Sequence, residues 1–137
     1  MSPNSRAFAA YGDATAATKS PRQVEYQAFA KITQSLANSA ASHAAVEGAE
    51  ATKRFPDLAA ALHENLRLWT IVLASVVSDA NTLPEQLRAS LAYLAEFTRS
   101  HTQKVLKGEA DADALIDVNT AVMRGLRKQE ETAPCPA

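Results

Sequence analysis

Apolar residues recur every three or four positions along four segments of the chain, which is the spacing of one face of an α-helix. The four stripes are Val24, Ala28, Ile32 and Leu36; Leu58, Leu62, Leu66, Trp69, Leu73 and Val77; Leu87, Leu91, Leu94, Phe97 or Thr98, His101 and Val105; and Leu115, Val118, Val122 and Leu126. No segment alternates apolar and polar residues as a half-buried strand does. The pattern predicts an all-α, four-helix bundle-like single domain.

Capping residues predict where the helices begin and end. Ser20 with Gln23, and Thr82 with Glu85, have the spacing of a capping box, with Pro21 or Pro84 in the first turn. The first helix is expected to continue to about Glu47. The other predicted boundaries are a stop at Gly48, a start at Pro56–Asp57, a stop at Lys107–Gly108 and a start near Asp111 or Asp113.

The two ends of the chain differ in composition from this helical region. Residues 1–19 are small and polar, with Phe8 and Tyr11 as the large apolar groups, and are expected to form a flexible arm. Residues 20–127 form the predicted helical domain. Residues 128–137 are charged and then proline-rich, which predicts a disordered tail.

Composition and charge exclude several classes of protein. The chain has 137 residues, 47% apolar and 21% charged, with a net charge of -1, so nothing favours direct contact with nucleic acid or an anionic membrane. The longest apolar run, Leu68 to Val77, is about half the length of a membrane span. The single cysteine, Cys135, cannot form an internal disulfide, and no signal peptide is visible. We therefore expect a cytoplasmic protein without membrane insertion.

No pattern of residues predicts catalysis, a cofactor or a metal site. His43, His63 and His101 fall on separate predicted helices, and Arg67 stands where a zinc-binding helix would need a second histidine after His63. The expected tail around Cys135 offers no fixed general base. The sequence therefore predicts a protein that is not an enzyme and has no catalytic residues, cofactor or metal.

The second helix carries a surplus of apolar residues. Leu68, Ile71 and Val72 fall on the side opposite its main stripe, whereas a helix of a small bundle needs one apolar face. Either these residues accept an amphipathic helix of a partner, or the first helix or the N-terminal arm covers them. Trp69 has two interpretations as well, a core residue or an anchor for a partner.

Polar residues on the stripes have alternative roles. Asn65 and Asn119 each lie among apolar residues, where an amide needs hydrogen-bond partners. They bond to each other and fix the register of the second and fourth helices, or they bind the backbone of a partner. The arginines Arg67, Arg88 and Arg124 either pair with acidic groups of a partner or remain in solvated surface pairs.

Four segments in order resemble the family of the flagellar biosynthesis regulator FlaF. They are Asn65-Leu66-Arg67-Leu68-Trp69-Thr70; Ser20 to Glu25 after Ala10-Tyr11; Leu83-Pro84 with Leu87-Arg88, Leu91, Leu94 and Phe97; and Leu115-Ile116 with Asn119 and Gly125-Leu126. The resemblance spans roughly Ala10 to Leu126. It implies that six residues have a structural role or belong to a family motif: Asn65, Trp69, Pro84, Arg88, Asn119 and Leu126.

The resemblance implies a chaperone-like protein that binds flagellin and supports its synthesis and secretion, alongside the regulator FlbT. We expect an apolar groove on the second and third helices, with Arg67, Leu68, Ile71, Val72 and Tyr93 as the partner-binding residues. Two alternatives remain open. One is a regulator of flagellin mRNA translation acting through FlbT, and the other is a self-associating bundle whose surplus apolar face forms a homodimer interface.

Overall fold

The computed structural model describes the backbone of residues 21–78 and 80–132 and the side chains of residues 26–78 and 80–128. Within those residues the chain forms four helices and no strand: α1 (Pro21–Ala44), α2 (Gly48–Val76), α3 (Glu85–Leu106) and α4 (Asp113–Thr132). α2 packs against α1 and α3, and α1 also packs against α4. The prediction of an all-α fold built from four packed helices is confirmed.

Helices α1 and α2 run antiparallel, as two ring contacts between them show. The rings of Phe29 and Trp69 meet edge to face with centroids 5.6 Å apart, and those of His43 and Phe55 meet at 5.8 Å. The two contacts are thus equally spaced on both helices, with Phe29 of α1 opposite Trp69 of α2 and His43 opposite Phe55. Extending the same register places the first residue of α1, Pro21, level with Val77, where α2 ends.

The connection between α1 and α2 is shorter than the sequence suggests. α2 begins at Gly48, whose φ of 62° allows the chain to reverse, and Pro56 lies inside the helix. The predicted start at Pro56–Asp57 is therefore wrong. A proline inside a helix costs about 3 kcal/mol, and packing of the first turns of α2 on α1 offsets it. Phe55 contacts His43, and Arg54 donates to the Ser42 carbonyl at 3.0 Å.

The remaining boundaries follow local hydrogen bonds. Thr82 does not cap α3; Asn81 orders this connection instead, accepting from the Leu83 N–H at 2.8 Å and donating to the Ser75 carbonyl at 2.9 Å. The predicted stop at Gly108 is confirmed by a φ of 77° and by the bond from the Glu109 N–H to the Lys104 carbonyl, 2.9 Å.

The fourth helix begins where the sequence indicates and continues further than expected. The Asp111 side chain accepts from the Asp113 N–H at 3.0 Å, and α4 starts at Asp113. It then runs to Thr132, so residues 128–132 are helical rather than disordered. The predictions for the arm 1–19, the Ser20 cap and Cys135 lie outside the described residues.

Two clusters of apolar side chains fill the bundle, one toward each end. The first joins the C-terminal half of α1 and the N-terminal half of α2 to α3 and α4, through the buried residues Leu36, Leu58, Ala61, Leu62, Val105, Ala112 and Leu115. The second is centred on Phe29, Leu68, Trp69 and Ala95. Many of the residues packed against the second cluster are only half-buried, and these lead to the candidate site.

Candidate binding groove

An apolar groove of about 650 Å³ opens beside the second cluster. Its walls come from the C-terminal half of α2, the connection to α3, the N-terminal half of α3 and the C-terminal half of α4, with Phe29 of α1. None of its lining residues is charged; they are Phe29, Leu68, Ile71, Val72, Ser75, Val76, Ala80, Asn81, Thr82, Leu83, Leu87, Leu91, Leu94, Ala121, Val122, Gly125 and Leu126. Such a surface favours an apolar occupant over a charged one.

The groove is lined by α3 and by α4, the pair of neighbouring helices with the least mutual contact. Leu87, Leu91 and Leu94 line the groove from α3, while Val122 and Leu126 face it from α4. These leucines of α3 are only half-buried, because no helix of the described chain covers them.

A buried hydrogen-bond network fixes the helices that support this groove. The Trp69 indole N–H donates to Asn119 Oδ1 at 2.8 Å. The Asn119 amide donates to Asn65 Oδ1 at 2.7 Å and to Thr33 Oγ1 at 3.0 Å. One asparagine of α4 thus connects α1 and α2, and all four side chains are buried.

The bond between Asn65 and Asn119 is the register-fixing contact that the sequence offers as one of two roles. Both residues are fully buried, so neither presents its amide to the backbone of a partner. The Asn65 amide nitrogen has no acceptor among the described residues. Trp69 is 1% exposed and belongs to the core, so it is not an exposed anchor.

The surplus apolar face of α2 is placed differently from the expectation. Leu68 is 3% exposed and part of the second cluster, because the buried arc of α2 is centred on Asn65 rather than on the Leu66–Leu73 side. Its assignment to the opposite side of the helix is wrong. Ile71 and Val72 are half-buried, and both line the groove together with the accessible edge of Leu68. Val77, expected on the main stripe, is 66% exposed.

Two of the predicted partner-binding residues lie away from the groove. Tyr93 is 72% exposed and does not line it, since it follows Leu91 by two residues, about 200° around the helix. Its predicted position in the groove is wrong. Arg67 is at the surface and pairs with Glu64 at 3.0 Å. Arg88 is half-buried, and its Nε has no partner among the described residues. Arg124 is exposed on α4.

The family-motif residues contribute to the groove in different ways. Leu126 lines it directly. Pro84 is the N-cap of α3, and its carbonyl accepts from the Arg88 N–H at 3.0 Å. The sequence did not indicate that the C-terminal half of α4 forms a wall, although Val122 and Leu126 on one stripe with the small residues Ala121 and Gly125 beside them are visible there.

Charged groups of α3 lie outside the groove. The hydrogen bond between the Arg99 guanidinium and the Glu96 carboxylate lowers the pKa of Glu96 and raises the pKa of Arg99, and both side chains are exposed. Among the described residues, no group of three or more His, Cys, Asp or Glu side chains could hold a metal ion. The same part of the chain contains no helix of the length and apolar character that a membrane span requires.

Fold and groove define a four-helix bundle with an uncharged cleft at one end. The model of the family described as flagellar protein FlaF matches residues 7–126 of this chain. Because this match covers most of the sequence, the chain belongs to the FlaF family of flagellar proteins. Neither the curated proteins nor the solved structures include a match to it.

Proposed function

We propose that this flagellar protein binds flagellin in the groove between α2, α3 and α4, as a cytoplasmic, chaperone-like factor with no catalytic activity of its own. The observation that carries the proposal is the uncharged apolar lining, with half-buried leucines on α3 and half-buried Ile71 and Val72 on α2. Apolar clefts between helices of a bundle are common sites for an amphipathic helix.

The size of the groove fits a short helical segment. Its α2 wall runs from Leu68 to Val76, a length of about 12 Å or roughly two helical turns. A helix of that length presents apolar side chains at positions i, i+3 or i+4, and i+7 to one surface. The volume of the groove is sufficient for several such side chains.

A chaperone role would follow if the groove covered an apolar helical face of flagellin. Apolar faces of unassembled helices associate with each other unless they are buried. Burying one such face in the groove would keep flagellin molecules from associating with each other before secretion. FlbT is a second proposed partner, bound outside the groove, and would connect flagellin binding to flagellin synthesis.

The test is calorimetric titration of the full chain with flagellin of the same organism, intact and lacking either terminal helical segment. We expect micromolar or tighter binding that is lost with one of the two deletions. Ile71→Asp should abolish binding, because it places a charge in an uncharged groove. Tyr93→Asp is the matched control on the exposed side of α3 and should bind normally.

Two outcomes contradict the proposal. Equal affinity of the Ile71 and Tyr93 variants would place the binding surface elsewhere. Absence of binding to every form of flagellin would favour regulation through FlbT, which becomes the next titrant. Circular dichroism of Ile71→Asp serves as a check on folding; Ile71 is not a member of either buried cluster, so helical content should be unchanged.

A further inference from the structure

We propose that the chain's own N-terminal segment, through Phe8 and Tyr11, occupies the groove when no client is bound. The groove is an apolar surface that no element of the described chain covers. The inference concerns the free protein and stands apart from the identity of the client; only its regulatory consequence rests on the proposed function.

The first argument is where the segment joins the bundle. By the α1–α2 register, Pro21 lies level with Val77, at the end of α2 that carries the groove. The α2–α3 connection at the same level contributes Ala80 to Leu83 to the lining, and Phe29, about two turns along α1, also lines it. The segment before Pro21 is therefore attached at the end of the bundle that carries the groove.

The second argument is reach and chemistry. Ten residues from Tyr11 to Pro21 can span up to about 33 Å, more than the roughly 12 Å length of the groove. Phe8 and Tyr11 stand three residues apart in the uncharged stretch 7–12, which matches an uncharged lining. The C-terminal residues 133–137 have no large apolar side chain except Cys135 and the prolines, so they fit the groove less well.

The third argument comes from the family match. It begins at residue 7, directly before Phe8, and continues without a break into the bundle. The segment is thus part of what this chain shares with its family, as the groove-lining residues up to Leu126 are.

An attached segment binds at high effective concentration, in the millimolar range for a short flexible connection, so a weak contact is sufficient to fill the groove. A client would then have to displace it. If the segment fills the groove in nine of ten molecules, the apparent affinity for the client falls about tenfold. Such occupancy would also keep the apolar lining from associating with other chains.

The direct test is methyl NMR of the full chain without any client. We expect nuclear Overhauser contacts from the rings of Phe8 and Tyr11 to methyl groups of Ile71, Leu91 and Val122. The double variant Phe8→Ala/Tyr11→Ala should shift those methyl signals. Tyr93→Ala, which removes an exposed aromatic ring outside the groove, is the matched control and should leave them unchanged.

A second variant changes the groove instead of the N-terminal segment. A Cβ at Gly125 would meet no atom within 4 Å, and Gly125 lines the groove, so we expect the side chain of Gly125→Leu to fill part of it. This variant should abolish the contacts from Phe8 and Tyr11, while Gly125→Ala should retain most of them. An unchanged indole N–H signal of Trp69, which reports its bond to Asn119, shows that the bundle is intact.

The outcomes separate this inference from the proposed function. Unchanged methyl signals in the double variant would overturn the inference that the N-terminal segment occupies the groove. Contacts that appear only between differently labelled molecules would also overturn it, because they would indicate a second copy of the chain in the groove. If the segment docks but flagellin does not bind, the proposed function fails alone. If flagellin binds with the same affinity to wild type and double variant, the regulatory consequence fails; a gain of several-fold in the double variant supports it.

Discussion

The two ends of this bundle use the same four helices but differ in how the chain connects them. At the first cluster, short connections join α1 to α2 and α3 to α4. At the groove, one connection joins α2 to α3, while α1 begins and α4 ends without a described link to a neighbour. A short connection thus joins α3 to α4 at the first cluster, whereas at the other end residues of both helices line the groove.

The side chains follow the same division. Leu62 and Leu115 at the connected end are fully buried, whereas Leu91 and Leu94 at the open end are half-buried. A polar network through Asn119 lies beside the second cluster and ties α4 to α1 and α2. Since few contacts join α4 to α3, this network is what we expect to hold the groove wall in place.

The largest expected effect is loss of this network. Asn119→Ala removes three hydrogen bonds and leaves the buried Trp69 indole N–H and Asn65 without partners. Each unsatisfied buried group costs about 1–3 kcal/mol, so we expect the free energy of unfolding in urea to fall by about 3 kcal/mol or more. Asn38→Ala is the control, because its amide accepts from Gln34 at the surface. A loss below about 1 kcal/mol for Asn119→Ala would show that the network does not hold α4.

The second prediction compares one leucine from each end. Leu62→Ala creates a cavity in the closed cluster and should reduce the free energy of unfolding by about 2–5 kcal/mol. Leu91→Ala removes a groove side chain that is already partly in solvent, and should cost about 1 kcal/mol. Equal losses in urea titrations would mean that the groove is closed in solution, which is also what full occupancy by the N-terminal segment would produce.

The fold could be predicted from the sequence because its signals are local. Stripes with helical spacing identified all four helices, and Gly108 after Lys107 marked the end of α3. The start of α2 could not be placed, since a proline usually marks a first turn and the tertiary contacts of Phe55 and Arg54 that outweigh it are invisible in a single sequence.

The groove was harder to predict than the helices. Ile71 and Val72 line the groove, and their role in binding a partner stays a prediction. Leu68 lies on the buried side of α2, because the polar Asn65 marks the centre of the buried arc and an apolar stripe leaves it out. The sequence offers the bond between Asn65 and Asn119 as one role of the pair, whereas the Trp69 indole N–H donor becomes visible only in the folded structure. The wall from α4 depends on how α3 and α4 pack against each other, which helical periodicity does not describe.

The smallest expected effect concerns Gly125, and its sign is opposite to the others. A glycine inside a helix costs about 0.5–1 kcal/mol relative to alanine, and the bundle has no evident need for it, because an added Cβ would meet nothing within 4 Å. Gly125→Ala should therefore raise the free energy of unfolding by that amount, which corresponds to a melting temperature higher by about 2–4 °C.

Gly125→Ala also tests whether the groove needs a glycine at this position for binding. If an occupant approaches the α4 backbone at Gly125, the added methyl group should weaken flagellin binding even though it stabilises the bundle. Ala121→Ser, one turn earlier on the same wall, tests the neighbouring position with a smaller change in volume. A stability gain without any loss of affinity would show that binding does not use close approach at this position, and would confine the contact to the leucines of α3 and the α2 wall.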